Sequence, residues 1–198
     1  MFFKKVLKYI ANIPNKVVFH SFGSTSKRKR GVEYQNAKCI AIGERVVLQK
    51  NVFLQVLKVS PERKALLTIL DGCLIGRNTQ ICCLNNVKIE EDCIFAGNCF
   101  VSDTTHTYDN IDVPVIKAPL KEMNQVVIGE GSWLGRNASV IGCSIGKHCV
   151  VGNCALVTKD IPDYCVVVGN PCRIVKRYNF ETRQWEKTDK DGNFLKEN

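Results

Sequence analysis

An aliphatic residue recurs at every sixth position over much of the chain. The clearest run comprises Ile128, Leu134, Val140, Ile145, Val151 and Val157. An amphipathic helix repeats at about 3.6 residues and a two-sided strand at about 2, so neither explains a period of six. This period is typical of short strands joined by tight turns. The pattern therefore predicts an all-β fold, a parallel β-helix with one strand per hexad and three hexads per coil.

Small residues occupy two further places in each hexad. Glycine follows the aliphatic residue at Gly129, Gly135, Gly146 and Gly152. The fifth place is taken by Ser132, Ala138, Ser144, Cys149 and Ala155. We expect these small residues to allow the chain to turn tightly between strands.

The repeat begins near residue 39 and is interrupted twice. Earlier hexads are marked by Ile42, Leu48, Leu54, Ile69, Ile75, Ile81, Ile89, Phe95 and Val101. The first break, at residues 58–64, contains Pro61 and is predicted to be a loop extruded from one coil. The second, at residues 102–126, is a long excursion. Long interruptions of a regular scaffold usually carry function.

These patterns divide the chain into three segments. Residues 1–38 are predicted to form an amphipathic helix at residues 3–12 and a basic linker, residues 39–177 the β-helix, and residues 178–198 a polar tail. The helix has a lysine-rich face and is too short and too charged to span a bilayer. It either packs against the protein or rests on an anionic membrane surface.

The composition indicates which kinds of partner the protein favours. The 198 residues include 28 Lys and Arg against 19 Asp and Glu, a formal charge of +9 that favours anionic partners. The basic run at residues 26–31 contains no aromatic residue and is predicted to be a solvated loop. We therefore expect no nucleic-acid partner.

The eleven cysteines have a structural explanation. Cys73, Cys93, Cys99 and Cys149 take the small fifth place of a hexad, which predicts buried thiols. Without a CxxC pair, a zinc ribbon has little support, and no metal is predicted. The sequence shows no cleavable signal peptide, so we expect a cytoplasmic location, where thiols stay reduced.

Several motifs resemble those of one enzyme family. They are the loop with His106, the runs VVIGEGSWLGRNASV and VVGNCALVTKDIP, and the closing GNPCRIVKRYN. In this order they are similar to the left-handed β-helix acyltransferases, in particular sugar O-acetyltransferases of the maltose and galactoside type and relatives in capsule and lipopolysaccharide synthesis. The resemblance covers about residues 40–179. One departure is a turn near Gly142 that is one residue short.

The resemblance implies transfer of an acetyl group from acetyl-CoA to a sugar hydroxyl. A base must take the hydroxyl proton, and imidazole titrates near neutral pH. The family's catalytic histidine falls on His106, with Asp103 as a candidate partner that orients it. We expect His148 to face solvent from within a hexad, and no motif surrounds His20.

By the same resemblance, the coenzyme contacts are Arg136, Asn153, Thr158, Lys159, Arg173 and Lys176. Lys159, Arg173 and Lys176 have cationic side chains suited to phosphates. Arg136 and Asn153 are expected to contribute only backbone contacts. The alternative is that this basic end is simply solvated. Asn85 and Asp103 are the candidate acceptor contacts, and Trp133 is expected to pack at a coil corner.

The family's threefold association predicts a homotrimer with active sites at the subunit seams. Two other function classes stay open at this stage. One is an N-acetyltransferase that acts on an amino sugar or an amino acid. The other is a binding or scaffolding protein without activity, of which a metal-dependent version needs several histidine ligands, more than three scattered histidines supply.

Overall fold

The computed structural model describes residues 15–57 and 66–195. Within these ranges the chain winds into a parallel β-helix whose coils pass once through each of three sheets, here called A, B and C. The predicted one strand per hexad and three hexads per coil are confirmed. The helix expected at residues 3–12 and the loop expected at residues 58–64 lie outside the described residues.

The elements follow one another with short turns between them. A single helical turn, α1 (Asn15–Val18), precedes the first strand. Sheet A contains β1 (Ser21–Phe22), β4 (Ile40–Ile42), β7 (Leu67–Ile69), β10 (Val87–Ile89) and β15 (Val126–Ile128). Sheet B contains β2 (Lys27–Arg28), β5 (Val47–Leu48), β8 (Leu74–Ile75), β11 (Ile94–Phe95), β16 (Trp133–Leu134), β18 (Val150–Val151), β20 (Cys165–Val168), β21 (Arg173–Asn179) and β22 (Gln184–Lys187).

Sheet C and a small hairpin complete the molecule. Sheet C contains β3 (Glu33–Gln35), β6 (Phe53–Val56), β9 (Gln80–Cys83), β12 (Phe100–Ser102), β17 (Ser139–Ile141) and β19 (Leu156–Val157). The hairpin pairs β13 (Thr104–His106) with β14 (Leu120–Glu122) in antiparallel fashion. Ala37–Cys39 and Val115–Lys117 form 3-10 turns.

The core consists of aliphatic residues stacked from coil to coil. In sheet A, parallel pairing sets Ile42, Ile69, Ile89 and Ile128 directly above one another, and all four are buried. Single bridges to Ile145 and then Ile161 extend this column. Each such side chain contributes about 1.5–3 kcal/mol by leaving water, so the hexad repeat is the main source of stability.

Left-handed backbone conformations turn the chain at the corners. At the corner between sheets B and C, Asn51, Asn78, Asn98 and Asn137 all have φ between 59° and 63°. Asparagine tolerates this region better than other residues with a side chain. Their amides also form a ladder, with Nδ2 to Oδ1 distances of 3.2, 2.9 and 3.1 Å from coil to coil. The ladder stabilises the sharpest bends of the coil.

The predicted burial of the cysteines in the fifth place is confirmed, because Cys73, Cys93, Cys99 and Cys149 are all buried. The assignment of Ser144 to that place is wrong. Since Gly142 adopts a φ of 60° in the shortened hexad, the inward place falls one residue earlier, on Cys143.

The β-helix begins earlier than residue 39. The basic run belongs to the first coil, where β2 pairs in parallel with β5. This terminal coil is covered by another coil on one side only. Arg28 and Tyr34 can therefore take positions that aliphatic residues fill in later coils. The Arg28 guanidinium lies 5.2 Å from the Tyr34 ring centroid. Phe19 is buried against Tyr34 and Phe22 and closes this end of the core.

The C-terminal segment continues sheet B as an antiparallel hairpin. Strand β21 pairs with β20 on one side and with β22 on the other. It crosses residue 178, the expected start of the tail. Tyr178 and Trp185 of this hairpin form an aromatic cluster with Tyr164.

The outer face of sheet B carries a column of apolar side chains. Leu74, Ile94 and Trp133 occupy paired positions and are 36%, 51% and 47% exposed. Trp133 therefore lies in a strand on the outer face, and the expectation that it packs at a corner is wrong. No helix within the described ranges is long and apolar enough to span a bilayer.

Candidate active site

Residues 103–125 leave the β-helix between β12 and β15 and project as a hairpin. Strand pairing sets Thr105 opposite Lys121 and His106 opposite Leu120. The Thr107 hydroxyl donates a hydrogen bond of 2.7 Å to the Pro119 carbonyl just beyond the paired strands. The excursion predicted from the sequence is thus an ordered element that holds His106 at a fixed place.

Asp103 anchors this hairpin to the preceding coil. Its carboxylate is fully buried and accepts hydrogen bonds from the backbone N–H groups of Leu84, Asn85 and Asn86 at 2.6, 2.8 and 2.7 Å. Its own carbonyl accepts the N–H of Met123 at 2.8 Å, which ties down the returning strand. A carboxylate with several N–H donors is a strong anchor.

These contacts correct two expectations about Asp103. The carboxylate is enclosed and is committed to the turn at residues 84–86, so it neither contacts the acceptor nor orients His106. Asn85 donates its backbone N–H to Asp103, while its side chain is exposed. Asn85 is not among the described residues that line the cleft beside His106.

The hairpin overhangs the outer face of sheet C and encloses a cleft of about 580 Å³, here called the His106 cleft. The floor comes from outward-facing residues of sheet C and the wall from the excursion. The lining residues are Gln55, Leu57, Cys82, Phe100, Ser102, Thr104, Thr105, His106, Ile116, Ala118, Leu120 and Ile141. His106 is exposed, and its ring makes no hydrogen bond to the described residues.

Cys82 on the floor is the one cysteine in the described lining. Burial, reinforced by the negative charge of Asp103, raises the pKa of the Cys82 thiol. The thiol donates a hydrogen bond of 3.4 Å to Oε1 of Gln55. Since the thiolate is the nucleophile and the thiol is not, Cys82 is a poor candidate for a covalent intermediate at neutral pH.

A second cleft, of about 340 Å³, lies where the last coil meets the C-terminal hairpin and is here called the basic cleft. Thr158, Lys159 and Arg173 line it together, as do Lys190 and Asp160. Neither Lys159 nor Arg173 makes an ion pair with any described residue, whereas Lys190 lies 3.6 Å from the carboxylate of Asp191. This arrangement offers cations to an anionic ligand.

The other predicted coenzyme contacts lie elsewhere. Arg136 and Asn153 are exposed on adjacent coils at the corner between sheets B and C, where the Arg136 N–H donates to Oδ1 of Asn153 at 2.8 Å. Lys176 is exposed on β21, paired with Lys187. The six predicted residues therefore occupy three places on the surface, and three of them share the basic cleft.

Sequence reasoning did not find Lys190. It belongs to a turn in which the Asp189 carboxylate accepts the N–H groups of Asp191 and Asn193, both at 2.9 Å. The Asp191–Gly192 pair is a turn signal. It could have revealed the turn, but only the folded hairpin brings that turn against Thr158.

The other histidines lie away from both clefts. His148 is exposed at the corner between sheets A and B with a φ of 51°, and its ring stacks near Trp185 at a centroid distance of 6.5 Å. The expectation of an outward-facing side chain is confirmed. His20 is exposed near the first coil. No group of three or more His, Cys, Asp or Glu within residues 15–57 and 66–195 is arranged to hold a metal ion.

Comparison with known proteins gives relatives in sequence. No family model matches the chain. WbbJ of Escherichia coli K12, named as a lipopolysaccharide biosynthesis O-acetyl transferase, is 35% identical over 124 residues, which are 59% of this chain and 63% of WbbJ. A galactoside O-acetyltransferase of Lactococcus lactis is 36% identical over 100 residues, which are 48% of each chain. The chain thus spans less than two thirds of these relatives.

Solved structures share the fold. AntD, an N-acyltransferase from Bacillus cereus in complex with dTDP and 3-hydroxybutyryl-CoA, has a TM-score of 0.67 at 18% identity, over 84% of this chain and 87% of AntD. PerB from Caulobacter crescentus, in complex with CoA and GDP-perosamine, has a TM-score of 0.55 at 18% identity, over 78% of this chain and 57% of PerB.

The resemblance predicted from the motifs is confirmed, since in sequence and in fold the chain is similar to hexapeptide-repeat acyltransferases. The left-handed sense of the coil stays a prediction of that resemblance.

The anchoring role of Asp103 can be tested by substitution. Asp103→Ala leaves three backbone N–H groups without their acceptor and should lower the free energy of unfolding by about 3 kcal/mol. Chemical denaturation measures this change. Asp109→Ala, an exposed carboxylate of the same excursion, is the matched control and should change stability little. Equal stability of the two variants would contradict the role given to Asp103.

Proposed function

We propose that the protein is an acetyl-CoA-dependent O-acetyltransferase that acetylates a hydroxyl of a sugar or glycan precursor. The observation that carries the proposal is His106, whose exposed imidazole stands at the wall of a cleft large enough for a sugar ring. The names of the sequence relatives support acetyl transfer to oxygen. The structural relatives AntD and PerB are complexed with CoA compounds and with nucleotides or nucleotide sugars, which supports a CoA donor and a sugar acceptor.

In this proposal His106 acts as the general base. One ring nitrogen accepts the hydroxyl proton while the acceptor oxygen attacks the thioester carbonyl. The bond from carbon to sulfur then breaks, and the imidazolium returns the proton to the departing CoA sulfur. Because Cys82 is held as a thiol, the acetyl group passes directly from donor to acceptor without a covalent enzyme intermediate.

The donor is proposed to lie across sheet C, with its phosphates at the basic cleft. Lys159, Arg173 and Lys190 supply the charge that phosphates require. Arg136 and Asn153 border sheet C at the corner opposite Thr158, so an extended coenzyme could contact both corners. Lys176 is retained as a coenzyme contact, but its place outside the basic cleft gives it the weakest support.

N-acetyl transfer to an amino sugar is the alternative, and AntD gives it a specific basis as an N-acyltransferase of the same fold. At 18% identity, AntD supports only the shared fold. WbbJ and the galactoside O-acetyltransferase, at 35% and 36% identity, carry names for O-acetyl transfer. Parallel assays with galactose and galactosamine, followed by chemical analysis of the acetylated product, distinguish an ester from an amide. Absence of any thioester loss with a broad panel of sugars and amino sugars would favour a scaffold protein.

His106→Ala should lower turnover by about a hundredfold or more, the usual consequence of losing a general base, with little change in the affinity for acetyl-CoA. Chromatographic measurement of released CoA avoids interference from the protein's own thiols. His148→Ala is the matched control, because this exposed histidine lies at a different corner. Near-normal turnover of His106→Ala would remove His106 from the mechanism.

Removing a phosphate contact should raise the KM for acetyl-CoA on the order of tenfold and leave kcat unchanged, because such contacts persist in the transition state. We expect this of Lys159→Ala, Arg173→Ala and Lys190→Ala in steady-state kinetics. Lys38→Ala, an exposed lysine in the first coil, is the control.

A donor without the 3′-phosphate identifies which cation contacts that group. The substitution that removes this contact should have a smaller effect on the dephosphorylated donor than on acetyl-CoA. If none of the three substitutions raises KM above the Lys38→Ala value, the basic cleft is only a solvated surface.

We also propose a cytoplasmic homotrimer. The exposed apolar column of Leu74, Ile94 and Trp133 supports burial of sheet B against another subunit, since such columns on soluble proteins commonly mark interfaces.

Sedimentation should give the mass of three chains, and Ile94→Lys should shift the equilibrium toward monomer. A stable monomer with full activity would contradict this assembly.

A further inference from the structure

We infer that the acceptor group that enters the His106 cleft is an uncharged sugar unit with an apolar face, and not a sugar linked to a nucleoside diphosphate. The inference rests on the proposed function and specifies its substrate class. It comes from the chemistry of the twelve residues that line the cleft.

The described lining contains no Lys, Arg, Asp or Glu. The excursion itself is rich in charge, with Asp109, Asp112, Lys117, Lys121 and Glu122, yet none of these lines the cleft. Along residues 116–121, Ile116, Ala118 and Leu120 line the cleft. Lys117 and Lys121 of the same stretch do not. Charge is therefore kept away from the cleft by the arrangement of the hairpin.

Most polar groups in the lining already have partners. The Ser102 hydroxyl donates to the Thr104 carbonyl at 2.9 Å, and the Thr104 hydroxyl donates to the Lys121 carbonyl at 2.9 Å. The Gln55 amide donates to Gln35 at 2.8 Å and accepts from the Cys82 thiol. His106 and the hydroxyl of Thr105 have no hydrogen bond to the described residues and remain available to a ligand.

This lining matches a ring that presents one reactive hydroxyl and an apolar face. Phe100, Ile116, Leu120 and Ile141 provide apolar surface, and carbon-bound hydrogens of a sugar or deoxysugar can pack there. His106 and Thr105 can meet one or two hydroxyls. Such few, well-placed polar groups give orientation to a ligand that is held mainly by apolar contact.

A diphosphate fits this cleft poorly. An anion that leaves water needs cations or several N–H donors, and the described lining contains no Lys or Arg. Lys159, Arg173 and Lys190 line the basic cleft, which shares no residue with the His106 cleft and is the proposed place of the donor phosphates. A nucleotide-linked acceptor would therefore lose hydration without compensation.

Matched acceptors test the inference on the intact protein. A panel of hexoses and deoxyhexoses is supplied both as methyl glycosides and as nucleoside diphosphate derivatives, with acetyl-CoA as donor. We expect the accepted sugar to have a kcat/KM at least about tenfold higher as the methyl glycoside than as the nucleotide derivative. A higher value for the nucleotide derivative overturns the inference and leaves the proposed function intact. No CoA release with any acceptor overturns both.

A charge introduced into the cleft gives a second test. Ile116→Lys places a cation in the lining. It should lower kcat/KM for the methyl glycoside and raise kcat/KM for the nucleotide derivative, so that the ratio of the two values falls by at least about fivefold. Ile116 is 85% exposed, so the fold should tolerate the change. Ile111 is 96% exposed in the same excursion and lies outside the cleft, so Ile111→Lys should leave both kcat/KM values unchanged. Equal effects of the two variants would show that the acceptor does not enter this cleft.

Discussion

The coil can close only because it bends sharply at its corners, and left-handed residues make two of the three corners tight. Between sheets B and C asparagines fill four of these positions, and their amide ladder links those four coils. Between sheets A and B the same conformation falls on residues as different as Gly72, Asp92 and His148. The third corner, between sheets C and A, varies in length and is the one from which residues 103–125 leave the β-helix. An insertion is tolerated at this corner, where no asparagine ladder links the coils. Both the His106 excursion and Thr158–Lys159 occur there.

Asp103 anchors the excursion at that corner. A long excursion needs an anchor if it is to hold a catalytic group in place, and a buried carboxylate with three N–H donors supplies one. The same negative charge, added to burial, raises the pKa of Cys82 and keeps this thiol unreactive. One side chain therefore positions the hairpin that bears His106 and also disfavours the thiolate form of Cys82, the one cysteine in the described cleft lining.

The periodic part of the molecule was predictable because each inward position sees the same environment. Ile69, Ile75 and Cys73 follow the hexad and are buried as expected. Prediction failed where that environment changes. The first coil is covered on one side and accepts Arg28 at an inward position, and a hexad shortened by one residue moves the buried place to Cys143. The anchoring role of Asp103 and the position of Lys190 in the basic cleft depend on contacts between segments far apart in the sequence. No local sequence pattern specifies such contacts.

We propose that sheet C and its two corners form the catalytic face. A crystal structure of the protein with bound CoA tests this most directly. We expect phosphates in contact with Lys159, Arg173 or Lys190, and the CoA sulfur at the mouth of the His106 cleft. Coenzyme bound at the corner between sheets A and B, beside His148, or a sulfur directed away from His106, would contradict it.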